Sequence, residues 1–409
     1  MKFHCFHLMS YPGLPDDFRE KHRSVWVDVP SRLFDPQVGN RAYNDYLDLL
    51  EEADRLGFDG ICVNEHHSNA YGLMPSPNLM AAALARRTER SAIVVLGNSV
   101  ALYNPPVRVA EEFAMLDVIS NGRLIGGFPV GTPQDTAFAY GENPATLRDK
   151  YREGVELILR AWAEPDVFSF NGKYTQLRYV NCWPRPVQQP RPPIWVPGGA
   201  SVETWDYCID QDFLYSNLSY FGYLEARKVM DGFWETVARR NIDANPYRAG
   251  FLQFIGVAET DAEAERLYWP HVQYFWQRCL HTYAGWVSPP GYTSVPTMRA
   301  GIKSQIARIV RRAGARADLS QLTWGDFIER GYIVAGSADT VAQRLGDLAD
   351  TLKVGHLMVL PQFGDMPRDK AFENIGRFAR DVAPRLRDRY SQWEDRWYPA
   401  GIGGQHAAA

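Results

Sequence analysis

The feature that most constrains the fold of this chain is a regular alternation between short apolar segments and longer amphipathic ones. Eight apolar segments have the length of buried strands, from residues 3–9 (FHCFHLM) to residues 354–362 (VGHLMVLPQ), and each is followed by a helical segment. Strands that are separated by helices pair in parallel, and strands buried on both faces are apolar throughout. Eight such units predict an α/β fold, a closed (β/α)8 or TIM barrel.

An open, doubly wound sheet is the alternative arrangement of the same units. Its dinucleotide-binding forms carry a G-x-G-x-x-G motif after a strand. The segment GGFPVG at residues 126–131 has a different spacing, and Pro129 lacks the backbone donor that a phosphate loop needs. The sequence therefore favours the barrel.

Two insertions interrupt the alternation. Residues 165–192 contain an alternating segment centred on an Asn-Gly pair, which predicts a β-hairpin. Residues 285–332, before the last strand, are irregular and predict a long lid-like insertion. We expect residues 1–395 to form a single barrel domain and the Gly/Ala-rich residues 396–409 to form a flexible tail.

Composition argues against several classes of function. The 409 residues carry a formal net charge of −4 without a basic block, which argues against a nucleic-acid-binding protein. Five scattered cysteines without a C-x-x-C pair indicate reduced thiols in a cytoplasmic protein. We expect no signal peptide, because the first residues (MKFHCFHLMSYP) have too short an apolar run and no small-residue cleavage site. We expect no membrane span, because the chain lacks an apolar run of roughly 18 residues.

The second predicted strand ends in three hydrophilic residues. Residues 57–67 (GFDGICVNEHH) end in Glu65, His66 and His67, at the carboxyl end of a strand, where barrel enzymes hold their catalytic groups. A histidine can donate or accept a proton near neutral pH, which favours general acid–base catalysis. We expect no metal ion, because neighbouring strand residues point to opposite faces. The alternative is that these side chains only bind loop backbone.

Two further strand ends have the composition of a ligand site. Residues 195–206 (WVPGGASVETWD) predict a strand, a glycine turn and a helix, whose free amides and dipole favour an anion such as phosphate. Gly97, Asn98 and Ser99 end the third strand, and small residues there allow a flat ring to approach the backbone. Each segment also has a purely structural interpretation, a serine-capped turn in the first case and a bulged strand end in the second.

Together these segments resemble the luciferase-like flavin monooxygenase family. The segment ending in Glu-His-His is similar to the corresponding strand of bacterial luciferase, residues 104–124 (NPPVRVAEEFAMLDVISNGRL) to the family's long signature, and residues 193–201 (PIWVPGGAS) to its phosphate-binding turn. The segments VAGSADTVAQRL and FENIGRFARDVAPRL are similar to the end of its barrel. The resemblance implies a TIM barrel that binds reduced FMN, reacts it with O₂ to give a flavin hydroperoxide, and so oxidises a small organic substrate.

The resemblance also implies roles for individual residues. His66 matches the catalytic histidine of the family, and Glu65 would orient it or contact the flavin. The phosphate would bind at the glycine turn and the ring would lie near the ends of the third and sixth strands. The implied cofactor-binding residues are Asn98, Ser99, Gly198, Gly199, Ala200, Ser201, Ser216 and Asn217. A partner flavin reductase would supply the reduced FMN, and the chain would form a homodimer.

The sequence departs from luciferase near the expected site. Val130 stands where luciferase has an arginine for the phosphate, so backbone amides and Ser201 would carry more of the binding. Residues 131–144 (GTPQDTAFAYGENP) and the 285–332 insertion would line the substrate mouth. The candidate substrate contacts are His67, Phe138, Tyr140 and Tyr292, with Met298 and Trp324 as further candidates whose alternative role is helix packing.

Three other functions remain open beside the FMN-dependent monooxygenase. A deazaflavin-dependent oxidoreductase of the same superfamily would transfer hydride without O₂, and its acidic tail would need a basic mouth, for which Arg185 and Arg191 are the nearest candidates. A non-catalytic flavin-binding subunit is disfavoured by the retained Glu65, His66 and glycine turn. A metal-dependent hydrolase is disfavoured by the strand geometry.

Overall fold

The computed structural model describes residues 1–295, 297–299 and 321–402, and within these ranges eight parallel strands close into a barrel. In spatial order they are β1 (Lys2–Phe6), β2 (Gly60–Val63), β3 (Ala92–Val95), β4 (Leu124–Gly127), β7 (Ile194–Gly198), β8 (Leu214–Asn217), β9 (Ala249–Ala258) and β11 (His356–Leu360). Pairing of β11 with β1 closes the ring. Outside the barrel lie β5 (Phe168–Asn171), β6 (Gln176–Val180) and β10 (Ile333–Ser337). The predicted TIM barrel is confirmed.

Helices pack around the outside of the barrel. In chain order they are α1 (Phe18–Lys21), α2 (Pro36–Arg55), α3 (Pro77–Arg87), α4 (Val107–Ile119), α5 (Leu147–Ala163), α6 (Val202–Asp210), α7 (Gly222–Arg239), α8 (Asp261–Tyr274), α9 (Trp324–Glu329), α10 (Ala338–Leu352) and α11 (Arg368–Arg377). None of the described helices is both long and apolar enough to span a bilayer. Every residue of β2, β3, β4, β8, β9 and β11 is buried, because each of these strands lies between the barrel interior and the helices.

One strand, β10, is not evident from the sequence. β9 is ten residues long, and its first half pairs with β8 and β11. Its second half continues past β11 and pairs with β10 instead. Only Ile333 and Val334 of the segment IVAGS favour a strand, and Ala335, Gly336 and Ser337 are held in the ladder by pairing with β9.

The hairpin predicted within residues 165–192 is present, with β5 and β6 paired antiparallel. Their connection bends around Glu153 of α5, whose carboxylate accepts hydrogen bonds from the backbone amides of residues 173–175. The connection is therefore longer than the two-residue turn that an Asn-Gly pair indicates, since a side chain satisfies its amides.

The two segments predicted to be irregular differ in outcome. The 285–332 insertion lies partly outside the described residues, which omit 296 and 300–320, so its role as a lid stays a prediction.

The flexible tail predicted from residue 396 is wrong for residues 396–402. Trp397 and Tyr398 are buried there, and the Trp397 indole donates to the Asp212 carbonyl at 3.1 Å. The cause is that two large aromatic side chains find partners at the amino-terminal end of the barrel; residues 403–409 lie outside the described residues.

Candidate active site

Two histidines after β2 are each paired with a different carboxylate. Glu65, His66 and His67 lie in the loop that directly follows β2. His66 Nδ1 lies 2.9 Å from Asp135 Oδ2, whereas His67 Nε2 lies 2.9 Å from Glu65 Oε1. The expectation that Glu65 orients His66 is therefore wrong, because successive side chains leave the strand end in different directions. In the described ranges no group of three or more His, Cys, Asp or Glu side chains is arranged to hold a metal ion.

Asp135 lies in a short helical turn after β4 and is fully enclosed. Its Oδ1 accepts from the Trp26 indole at 2.9 Å and from the His67 backbone amide at 2.8 Å. Its Oδ2 accepts from the Thr132 hydroxyl at 3.0 Å and faces His66 Nδ1. Four partners fix the position of this carboxylate. Sequence analysis included Asp135 in the mouth loop but chose the aromatic residues of that loop.

The pairing with Asp135 fixes which nitrogen of His66 is available. A carboxylate accepts a hydrogen bond from an N–H group, so neutral His66 carries its proton on Nδ1. Nε2 has no hydrogen-bond partner among the described residues and can hold or release a proton. The rings of Trp26 and Tyr71 both lie 4.9 Å from the His66 ring and are stacked on each other at 4.6 Å. They restrict the imidazole to one orientation and shield it from solvent.

Glu65 connects the ends of β2 and β3. Its Oε2 accepts from the Ser99 backbone amide, and its Oε1 accepts from the Tyr103 hydroxyl at 3.2 Å and pairs with His67. A Cβ on Gly97 would lie 2.8 Å from the Glu65 backbone nitrogen, so only glycine permits this approach. The side of Gly97 where a Cβ would stand is thus occupied by the backbone of residues 64 and 65, and the approach of a flat ring to this strand end stays a prediction.

The predicted phosphate turn joins β7 to α6. A Cβ on Gly199 would meet nothing within 4 Å, so the turn is open to a ligand. Ser201 is partly engaged, because its amide donates to the Gly199 carbonyl at 3.0 Å and its hydroxyl to Glu203 at 3.2 Å. Burial would raise the pKa of Glu203, but hydrogen bonds from the Ser294 and Thr297 hydroxyls outweigh it and hold that pKa below its usual range.

A cation near this turn was missed by sequence analysis. Arg148, in the first turn of α5, places Nη1 3.4 Å from Thr204 Oγ1, in the first turn of α6. It can replace the arginine that is absent at Val130, because α5 brings a guanidinium to the same end of the barrel. No motif in the surrounding residues 145–150 would have identified it.

The remaining cofactor candidates lie at strand ends but do not all face one space. Ser216 Oγ lies 3.7 Å from Met358 Sδ, whereas the Asn217 amide donates to Tyr215, which packs against helices. Ser216 and Asn217 therefore point in opposite directions. The buried oxygens Asn64 Oδ1, Asn98 Oδ1 and Asn217 Oδ1 lack partners among the described residues.

An unpaired buried amide oxygen is unfavourable, so these strand ends suit a ligand that offers polar groups. A ring system with hydrogen-bonding edges and a phosphate matches the unpaired oxygens of Asn64 and Asn98 together with the glycine turn and Arg148, whereas Asn217 lies on the side of β8 that faces the helices. The residues present therefore fit a flavin-type cofactor.

Aromatic residues border the mouth beside His67. The Tyr140 ring lies 4.3 Å from the His67 ring, and Phe138 lies 5.9 Å from Trp286. Phe138 and Tyr140 are both more than a third exposed. Both are therefore placed to contact an apolar substrate near His67.

The other substrate candidates differ in position. Tyr292 donates to the Gly131 carbonyl at 2.8 Å and so lies against the mouth loop. Trp324 is buried with its ring 6.1 Å from Trp269, which is the helix-packing role given as its alternative. Met298 is about half exposed.

A parallel barrel that holds carboxylate-paired histidines and an open glycine turn at the carboxyl ends of its strands has the arrangement of a barrel enzyme. This chain belongs to the luciferase-like monooxygenase family, whose model matches residues 25–353.

Individual relatives agree with the family assignment. The oxygenase component of the flavin-dependent trigonelline monooxygenase of Acinetobacter baylyi is 34% identical over 178 residues, which are 42% of this chain and 48% of that protein. The chain thus matches about half the length of this curated relative.

Solved structures share the fold. The oxygenating constituent of 3,6-diketocamphane monooxygenase from Pseudomonas putida, in complex with FMN, has a TM-score of 0.69 at 18% identity, covering 94% of this chain and 98% of that one. An F420-dependent secondary alcohol dehydrogenase has a TM-score of 0.63 at 17% identity, covering 95% and 99%. Relatives with either type of cofactor therefore share this barrel.

Proposed function

We propose that this chain is the oxygenase component of a two-component monooxygenase that uses reduced FMN and O₂ to oxidise a small organic substrate. The observation that carries the proposal is the His66–Asp135 pair, which leaves His66 Nε2 unpartnered among the described residues at the carboxyl end of the barrel. A non-catalytic subunit has no need of such an oriented histidine. The proposal therefore assigns catalysis to this chain.

The phosphate of FMN would bind at the turn between β7 and α6. The amides of Gly199 and Ala200, the Ser201 hydroxyl and the Arg148 guanidinium are its proposed ligands, since charge-assisted bonds to phosphate are the strongest available there. When bound, reduced FMN would supply the electrons that activate O₂.

The protein's own residues would position the substrate and handle the proton transfer. His66 Nε2 would hold or transfer a proton at the substrate or the activated oxygen, while Asp135 keeps the ring in place. Trp26 and Tyr71 would limit the access of water to that nitrogen, which favours productive oxidation over loss of the oxidant. Phe138 and Tyr140 would bind the apolar part of the substrate.

The deazaflavin alternative receives no support from the two arginines considered for its acidic tail. Arg185 donates to the carbonyls of Trp162 and Glu164, at the opposite end of α5 from Arg148. Arg191 donates to the backbone carbonyl of Pro192. Both guanidiniums are engaged away from the glycine turn.

The first test is anaerobic titration of the purified chain with reduced FMN and, separately, with a reduced deazaflavin. Arg148→Gln should weaken FMN binding roughly tenfold or more, the scale of one charged hydrogen bond, whereas Arg152→Gln on the same helix should not. Air is then admitted with a panel that includes trigonelline and 3,6-diketocamphane, and oxygenated product is measured. Binding of deazaflavin alone, without reaction with O₂, would replace this proposal by hydride transfer.

The remaining parts of the proposal concern partners and location. A homodimer is supported by exposed apolar side chains on the adjacent helices α3 and α4, namely Leu79, Met115, Val118 and Ile119. Sedimentation of the wild type and of Met115→Lys would test this. A flavin reductase partner and a reducing, cytoplasmic location complete the proposal, and the five free buried cysteines are consistent with that location.

A further inference from the structure

A side cavity of about 240 Å³ lies between α5, the hairpin tip, the loop after β3 and Glu142 near the end of the 131–144 segment. Tyr103, Tyr174, Thr146 and the Glu142–Lys150 ion pair contribute to its wall. The Glu142 and Lys150 side chains are each about a quarter exposed (24% and 25%), so the cavity communicates with solvent. Its volume accommodates several water molecules, at roughly 30 Å³ each.

One hydroxyl connects this cavity to the active site. Tyr103 donates to Glu65 Oε1 at 3.2 Å and accepts from the Asn98 amide at 3.2 Å. The same oxygen, Glu65 Oε1, lies 2.9 Å from His67 Nε2. A continuous hydrogen-bonded path thus runs from His67 through Glu65 and Tyr103 to the cavity.

The opposite side of His67 faces the mouth. The Tyr140 ring covers the imidazole at 4.3 Å, and the His67 side chain is buried even without a bound cofactor or substrate. A proton at His67 then has no direct exit through the mouth during turnover. The path through Glu65 remains open because it leaves through the side of the barrel.

We infer that the side cavity is the route by which His67 exchanges protons with solvent, with Glu65 and Tyr103 as the connecting groups. In each transfer the proton leaves His67 Nε2 for Glu65 Oε1. The Tyr103 hydroxyl, which donates to Glu65 Oε1 at rest, turns to donate to a water in the cavity. The protonated carboxyl then passes its proton to the Tyr103 oxygen as the hydroxyl releases its own to that water, which restores the resting hydrogen bond. Tyr103 stays neutral throughout, and the net change is one proton moved from His67 to solvent.

The charge state of Tyr103 is consistent with this role. Burial, and after it the charge of Glu65, raise the pKa of Tyr103, so the hydroxyl stays protonated at every working pH. It can therefore relay protons without ionising.

The test uses the cofactor-free chain labelled with ¹⁵N-histidine. The exchange rate of the His67 ring proton with water is measured by NMR, with the resonance assigned from its loss in His67→Gln. Tyr103→Phe should slow exchange roughly tenfold or more, since proton transfer through a positioned group is worth at least that factor. Tyr174→Phe makes the same chemical change in the same cavity without touching Glu65, and it should exchange like the wild type.

A second variant keeps the test decisive if Tyr103→Phe perturbs folding. Thr146→Phe narrows the cavity while leaving Tyr103 and Glu65 intact, and it should also slow exchange. Wild-type exchange in both Tyr103→Phe and Thr146→Phe overturns the inference. Slow exchange in Tyr103→Phe alone overturns the assignment of the cavity.

The role in turnover rests on the proposed function, but the exchange measurement does not. Failure of FMN to bind would refute the monooxygenase while leaving the exchange result standing. If turnover is observed, Tyr103→Phe should enlarge the solvent deuterium isotope effect on kcat and leave KM for the substrate unchanged. An unaltered isotope effect in that variant would refute the role in turnover.

Discussion

Replacing Asp135 by Asn inverts the proton placement on His66 while conserving shape. Oδ1 of the wild-type carboxylate accepts two donors, the Trp26 indole and the His67 amide, so the oxygen of Asn must take that position. The new NH₂ group then faces His66 Nδ1 and donates to it. His66 is forced to carry its proton on Nε2, so neutral His66 can no longer accept a proton at that nitrogen.

The expected magnitudes follow from the contacts. Turnover should fall about 10²-fold or more, the scale of a general acid–base contribution. Stability should fall by only about 2 kcal/mol, because one charge-assisted hydrogen bond is lost while the contacts of the oxygen persist. Thr132→Val is the matched control, since it removes a donor to the same carboxylate without changing the acceptor oxygen that faces His66 Nδ1.

Two measurements decide the matter. Histidine ¹⁵N NMR of the cofactor-free chain reports which ring nitrogen of His66 is protonated, and product formation with an active member of the substrate panel reports turnover. Proton transfer to Nε2 in Asp135→Asn with unchanged turnover would show that His66 Nε2 is not a base. Retention of the proton on Nδ1 would show that the hydrogen-bond reasoning itself is wrong.

Four further outcomes are expected. His66→Ala should keep flavin binding but cut turnover about 10²-fold or more, and unchanged turnover would remove its catalytic role. Ser201→Asp should weaken FMN through charge repulsion at the start of α6, and equal affinity in the titration would place the phosphate elsewhere. Gly97→Ala should lower the midpoint of thermal unfolding and disturb His67, because its Cβ would lie 2.8 Å from the Glu65 nitrogen; unaltered histidine spectra would contradict this. Burial lowers the pKa of His7 to about 4, so its neutral form stabilises the fold above pH 6.5, and that stability is lost as the pH falls towards 4. Relative to His7→Asn, the wild type should lose about 3 kcal/mol of unfolding free energy over that pH range, at ~1.4 kcal/mol per pH unit.

The barrel was predictable because each strand is marked by a short apolar segment of its own, and this pattern recurs eight times along the chain. Apolar segments such as AIVV of β3 are buried on both faces and are therefore recognisable without any knowledge of their neighbours. β10 was not predictable, since IVAGS is extended only because the second half of β9 offers it a partner. Trp397 was assigned to a flexible tail because the Gly-rich residues around it favour flexibility, and the sequence does not show that its indole binds the Asp212 carbonyl.

The site residues were predictable where they lie at the end of a strand. They were not predictable where they lie on a loop from another part of the chain that packs against that strand end. Glu65, His66 and His67 follow directly from β2 and were found. Asp135 and Trp26 reach His66 from distant loops, and no spacing rule relates positions 26, 66 and 135. The interpretation of Glu65 failed for the same reason, because its partner could be chosen only once the directions of both histidines were known.

The strand β9 pairs with the barrel strands β8 and β11 in its first half and with β10 in its second half, so it connects the barrel to the segment that follows it. The chain leaves β9 through α8 and, after the 285–332 insertion, returns in β10 against the second half of that same strand. The insertion is therefore attached at both ends to one rigid support, outside the closed ring of eight strands. Changes in its length cost little, because loop-closure entropy grows slowly with length. Insertions and deletions within this segment should therefore leave the barrel register and the histidine pairs unchanged.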